Sequence, residues 1–274
     1  MRKSLLSLAV LSALSVPALS FAEDAPDAHS HPVDKGTAPG TTPAVEPASP
    51  HTVAYNVGLY SQYIFRGLTQ TREDPALQGG VDYNHASGFY LGAWGSNISW
   101  LTDGDYYKSS SLELDLYGGY ANSIGETGIG YNVGLLQYIY PGRKFGGIKK
   151  AETTEVYGSL AYGWVSGKVS VVVSDGAFGF DNADGSTYSE LNLAVPFGSG
   201  FSGVAHVGYQ DFTGKGNSVY DYTDWKLGVT KSWGNGMNLG AYYTDTDGKK
   251  GTFTDASNQN IAKEQFTVFV QKTF

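Results

Sequence analysis

Eight residues of this chain could do electrostatic work together: Arg66, Glu113, Asp115, Glu155, Glu190, His206, Asp224 and Lys226. They sit in stretches that alternate polar with apolar residues, as in Leu112-Glu113-Leu114-Asp115-Leu116 and Asp224-Trp225-Lys226-Leu227. In a β-strand such alternation sends the charges to one face and the aliphatic groups to the other. Charges on an enclosed face are costly unless paired or hydrated. The set therefore predicts one of two chemistries. It forms a hydrated constriction that favours cations or polar neutral solutes, or an ion-pair network that fills and stiffens the interior.

Covalent chemistry is not expected. His206 could act as a base, but a hydrolase also needs a nucleophile and an orienting group within hydrogen-bond reach. Ser170 and Ser189 are too ordinary to mark one, and His85 borders a turn. Gly79-Gly80 and Gly118-Gly119 lie within strand-like segments and open no helix, so they are not phosphate loops. They are expected to permit bending or close packing across the interior. Asp181-Asn182-Ala183-Asp184-Gly185 lacks the ligand spacing and terminal Glu of a calcium loop, and His29 and His31 on a flexible tether make no metal site. No cofactor, metal or catalytic residue is predicted.

The elements that must position these charges follow from periodicity and punctuation. From Val53 onward, Gly, Asn, Asp and Ser divide the chain into twelve strand-like segments. They cover 53–67, 76–86, 88–100, 110–121, 127–140, 152–166, 168–175, 186–196, 200–211, 220–232, 236–246 and 263–274. Short turns are expected at Ala86-Ser87-Gly88, at 122–126, and at Ser166-Gly167, Gly198-Ser199-Gly200 and Gly234-Asn235-Gly236. They alternate with longer loops at 68–75, 101–109, 141–151, 176–185, 212–219 and 247–262. This sorting by length predicts an all-β, closed antiparallel transmembrane barrel with short periplasmic turns, long external loops and neighbouring first and last strands. Closure leaves no unpaired edge, which a membrane requires.

Facing follows the same period. Val53, Tyr55, Val57, Leu59, Tyr63 and Phe65 are expected to face lipid, with Asn56, Gln62 and Arg66 inward. Leu112, Leu114, Leu116, Trp225, Leu227 and Val229 point outward. The third segment is ambiguous, because Phe89 and Leu91 compete with Trp94, Ile98 and Trp100 on the other face. Aromatic girdles are expected from Phe65, Trp225 and Phe266 at one end, and from Tyr55, Tyr83, Tyr120, Trp164 and Phe274 at the other.

Composition agrees with a lipid-facing barrel. Charged residues make up 16 % of the chain and Tyr numbers 20, against about 25 % charged residues in soluble domains. The net charge of −8 argues against a nucleic-acid partner, and the absence of cysteine excludes disulfides, thiolate metal sites and a lipidated N-terminus. Arg2, Lys3, the apolar run Leu5 to Leu19 and Ser20-Phe21-Ala22 predict a secretory signal peptide over 1–22. The Pro-rich segment 23–51 predicts a disordered periplasmic spacer, and 52–274 the barrel.

The stretch Ser61-Gln62-Tyr63-Ile64-Phe65-Arg66-Gly67-Leu68-Thr69-Gln70-Thr71 resembles the opening of the TorF-type porins, a Gcw-type proteobacterial outer-membrane family. The likeness continues through Asp74-Pro75-Ala76-Leu77-Gln78-Gly79-Gly80-Val81-Asp82-Tyr83 and Ser87-Gly88-Phe89-Tyr90-Leu91-Gly92-Ala93-Trp94-Gly95-Ser96-Asn97. It extends to Glu113-Leu114-Asp115-Leu116-Tyr117-Gly118-Gly119-Tyr120, Tyr138-Ile139-Tyr140-Pro141-Gly142 and His206-Val207-Gly208-Tyr209. It implies a Gram-negative outer-membrane location and a pore but supplies no substrate; passive passage of small polar solutes or ions is the expectation from the charged interior. Phe274 resembles the terminal aromatic with which outer-membrane barrels end, which implies recognition by the barrel-assembly machinery. The competing expectation is a closed barrel whose external loops carry a structural or surface-recognition role.

Overall fold

The computed structural model describes residues 49–274, so the expected signal peptide and nearly all of the spacer lie outside the described residues. From His51 the chain forms one closed antiparallel barrel of twelve strands. In order these are His51–Tyr60, Ala76–His85, Phe89–Asn97, Leu112–Ser123, Ile129–Ile139, Thr153–Tyr162, Val165–Val172, Thr187–Gly198, Phe201–Asp211, Tyr222–Ser232, Met237–Thr246 and Gln265–Thr273. Each pairs with its neighbours in sequence, and the first pairs with the last. Among the described residues no helix is long and apolar enough to cross a membrane.

Connections alternate as expected. Residues 61–75, 98–111, 140–152, 173–186, 212–221 and 247–264 form long excursions at one end, and short turns at the other end share it with the first and last residues of the barrel. The outer wall carries Leu59, Leu77, Leu91, Leu116, Leu160, Leu191, Leu227 and Leu239, all exposed, as an apolar belt. The third strand resolves its ambiguity: Phe89 and Leu91 are each 62 % exposed, while Trp94 is buried inside. Inward rings lie flat on glycines of the next strand. A Cβ at Gly92, Gly134, Gly208 or Gly240 would overlap the rings of Tyr117, Tyr157, Tyr188 or Phe269. Gly119 is likewise crowded, by the Val133 carbonyl and the Tyr90 hydroxyl; both belong to the adjoining strands, so the packing is between neighbours and not across the interior.

Two expectations are corrected. The first strand ends at Tyr60, not at 67, and the chain then turns inward. Tyr63 (2 % exposed) and Phe65 (9 %) are therefore buried inside the barrel and belong neither to the lipid face nor to the external girdle. The turn assigned to Ser166-Gly167 lies instead at Gly163-Trp164, where Gly163 takes φ 58°, and the seventh strand begins at Val165. Ser166 and Gly167 are ordinary strand positions paired with Ala161 and Leu160.

Candidate functional site

The interior is organised around a short hairpin that follows the first strand. Ile64–Phe65 pairs antiparallel with Leu68–Thr69, and the Gln70 amide donates to the Tyr63 carbonyl at 2.8 Å. Its two-residue turn is Arg66-Gly67, with φ 46° and 80°. Positive φ at both positions is what the tightest hairpin turns demand, and glycine supplies it freely. A Cβ on Gly67 would stand 2.5 Å from Thr246 Cγ2 and 2.6 Å from Asp224 Cβ, so the hairpin tip touches the wall at the tenth and eleventh strands. Arginine is an unusual choice for left-handed backbone, and its side chain explains why it is held there.

One Arg66 nitrogen, Nη2, lies 2.8 Å from both carboxylate oxygens of Glu155 on the sixth strand. The other, Nη1, donates to Gln210 Oε1 at 2.8 Å on the ninth. The guanidinium sits 4.3 Å from the Tyr188 ring centre and 4.8 Å from that of Phe65. Tyr222 donates its hydroxyl to the Arg66 carbonyl at 2.8 Å. Both ion-pair side chains are nearly sealed, at 5 % and 1 % exposure. The hairpin is thus a crossbar pinned to the far wall of the barrel. Arg66 reaches the lumen from its tip and not from the end of the first strand, as the alternation had implied.

The crossbar divides the charges into two groups. On one side Glu113, Asp115 and Glu155 lie among buried rings of Tyr63, Trp94, Tyr138 and Tyr140. Tyr63 donates to Glu113 at 2.8 Å. The two Asp115 oxygens have no hydrogen-bond partner among the described residues. On the other side Lys168, Glu190, His206, Asp224 and Lys226 line a polar space of about 40 Å³ beneath the hairpin, room enough for water. Lys168 lies 3.1 Å from Glu190. His206 Nε2 is 3.1 Å from Asp224, and His206 Nδ1 is 2.7 Å from Asn192 Oδ1. Tyr188 donates to Asp224 at 2.8 Å. Lys226 stands 5.3 Å from the Tyr242 ring centre.

All eight residues singled out from the sequence are therefore inside the barrel, but they do not form one band. His206 is engaged by Tyr188, Asn192 and Asp224, not by a serine. Sequence reasoning missed Lys168, Tyr188, Gln210 and Asp82, which accepts from Tyr117 at 2.5 Å. Lys168 was readable, since Val165, Val169 and Val171 point outward around it. Outside the strands, hydrogen bonds from Lys149 to Asp175 and Asp181 push the Lys149 ammonium pKa up. Phe274 is outside the lumen: its ring is exposed, and its amide donates to the Tyr55 carbonyl at 2.8 Å across the closing seam.

A family model described as a bacterial protein of unknown function (Gcw_chp) matches residues 44–274. A search of curated proteins finds no match. Among solved structures, the KdgM porin is similar at 9 % identity over 81 % of this chain and 98 % of that one, with a TM-score of 0.49. LpxR from Salmonella typhimurium is similar at 10 % identity over 81 % and 99 %, with a TM-score of 0.42. The outer membrane protein opdK from Pseudomonas aeruginosa is similar at 14 % identity over 81 % and 66 %, with a TM-score of 0.38. Likenesses this distant transfer no substrate.

Proposed function

The chain belongs to the Gcw_chp family of bacterial proteins, and from that membership and the lumen geometry we propose that it is an outer-membrane channel. It passes small polar solutes or ions passively, without cofactor or covalent chemistry, along the side of the lumen lined by Lys168, Glu190, His206, Asp224 and Lys226. The observation that carries this reading is the polar space of about 40 Å³ among those side chains. Five ionisable groups around an enclosed space are tolerable when water enters it. The apolar belt supports lipid as the solvent of the outer wall. The motifs from Ser61 to Asn97 support the narrower assignment to the TorF-type porins, and the terminal Phe274 supports handling by the barrel-assembly machinery.

In a planar bilayer the purified protein should show discrete channel openings. Replacing Glu190 with Gln and Asp224 with Asn leaves Lys168 and Lys226 as the fixed charges of the path. The reversal potential in a salt gradient should then shift toward anion preference, by at least about twofold in permeability ratio. The corresponding changes at Glu113 and Asp115, on the aromatic side, should leave selectivity unchanged. Equal shifts from both pairs would mean that the path is not confined to the seventh to tenth strands.

A second reading, a closed structural or surface-recognition barrel, is favoured by the buried Arg66–Glu155 pair. Silence in the bilayer from both the wild type and a variant lacking that pair would establish it. Orientation is checked separately. The chain has no cysteine, so Ser257→Cys on a long loop should react with an impermeant maleimide on intact cells, and Asn235→Cys in a short turn should not. Labelling of the second alone would invert the assigned topology.

A further inference from the structure

Above the crossbar, on the side of the long connections, lies a second and larger space of about 350 Å³. Each of the six long connections contributes an aromatic residue to its lining: Phe65, Trp100, Tyr140, Phe178, Tyr220 and Phe253. The rings brace one another mostly edge to face. Trp100 and Tyr140 are 5.6 Å apart at 90°, Phe65 and Phe178 5.5 Å at 62°, and Tyr220 and Phe253 5.9 Å at 89°. Edge-to-face packing holds rings in fixed directions without covering all of their faces.

Both cations of this chamber are neutralised locally. Arg72 lies 3.9 Å from Asp103 and 3.7 Å from Asp255. Lys149 lies 2.6 Å from Asp175 and 3.2 Å from Asp181. Each cation is thus flanked by two carboxylates, which leaves no unmatched positive charge to hold an anion. The chamber is large enough for a small molecule, since ligand pockets begin at about 300 Å³. An apolar cavity of about 150 Å³ already accepts benzene, so this one accommodates two such rings.

We propose that the chamber is a binding site for a neutral, flat molecule of one or two aromatic rings, held directly above the Arg66 hairpin. Phe65, Leu68, Thr69 and Gln70 of the hairpin form its floor, so an occupant presses on the element that bars the lumen. As a statement about what the channel loads, this rests on the channel reading; as a statement about binding, it stands apart from it.

The test uses the full-length protein in detergent, with 2-naphthol as the probe, naphthalene-2-sulfonate as its anionic counterpart and glucose as a polar molecule of similar size. Titration calorimetry should show saturable binding of 2-naphthol. The anion and glucose should bind at least tenfold more weakly. Phe253→Ala removes a ring and Thr252→Trp fills space from a half-exposed loop position; each should weaken binding at least tenfold. Phe266→Ala, on the lipid-facing wall, should leave it unchanged and thereby controls for uptake into detergent. If Phe253→Ala fails to assemble, Thr252→Trp and competition by unlabelled phenol decide the matter. Non-saturating uptake that is equal in all variants, or tighter binding of glucose, overturns the proposal. Binding without conductance would defeat the channel reading and leave the site standing, whereas conductance without binding would defeat the site alone.

Discussion

Replacing Arg66 with alanine is expected to destabilise the barrel by roughly 3–5 kcal/mol and at the same time to raise its conductance. The first effect arises because Glu155, 1 % exposed, would stand unpaired in the interior without the guanidinium now 2.8 Å away. The second arises because the hairpin would lose its contacts to Glu155 and Gln210 together, and with them its anchorage to the sixth and ninth strands. Arg66→Lys should recover little of either, since an ammonium cannot serve both partners and stack on Tyr188 as the planar group does. The paired change Arg66→Met with Glu155→Leu should restore stability, because well-packed apolar replacements of a buried ion pair are commonly neutral or stabilising. Urea titration of refolding into vesicles and single-channel recording of the same variants separate the two effects. If Arg66→Ala matches the wild type in both measurements, the crossbar is not pinned by this pair.

Removing Phe274 should impair assembly while leaving export across the inner membrane intact. The closing seam is the shorter of the first strand's two: it registers Asn56 to Tyr60 against Thr273 to Phe269, whereas the first and second strands pair from His51↔His85 to Tyr60↔Ala76. Phe274 prolongs this seam through reciprocal backbone bonds with Tyr55, at 2.8 and 3.4 Å. A backbone group left unpaired near lipid costs several kcal/mol, and about 1.4 kcal/mol is already tenfold in an equilibrium. The amount of heat-modifiable, membrane-inserted protein should therefore fall by about tenfold or more. Wild-type levels after the deletion would reduce the terminal ring to an ordinary member of the girdle.

The barrel was legible because its signal is repetitive. A period of two over twelve segments, with connections sorted by length, overdetermines closure even where single boundaries slip. The crossbar was not legible for a specific reason. Tyr63 and Phe65 continue the alternation of Val53 to Leu59, and aromatic residues bound for the interior cannot be told from aromatic residues bound for lipid by period alone. The contrary clue was Gly67, a residue suited to the second position of a tight turn in the midst of what otherwise reads as strand. The misplaced turn has a similar origin. Gly163-Trp164 and Ser166-Gly167 each contain a glycine, and only the backbone shows which one bends. Of the interior site, the residue types were readable and their division into two sides was not, because that division depends on where the crossbar lies.

The crossbar also imposes an order on how the molecule comes together. Arg66 is separated along the chain from Glu155 by 89 residues, from Gln210 by 144 and from Tyr222 by 156. Joining points so far apart carries a loop-closure cost that is repaid only when the intervening chain is already in place. Those partners lie on the sixth, ninth and tenth strands, so the hairpin can seat fully only after the wall around it exists. The Arg66 contacts are therefore expected to form last in refolding, after the strands have paired.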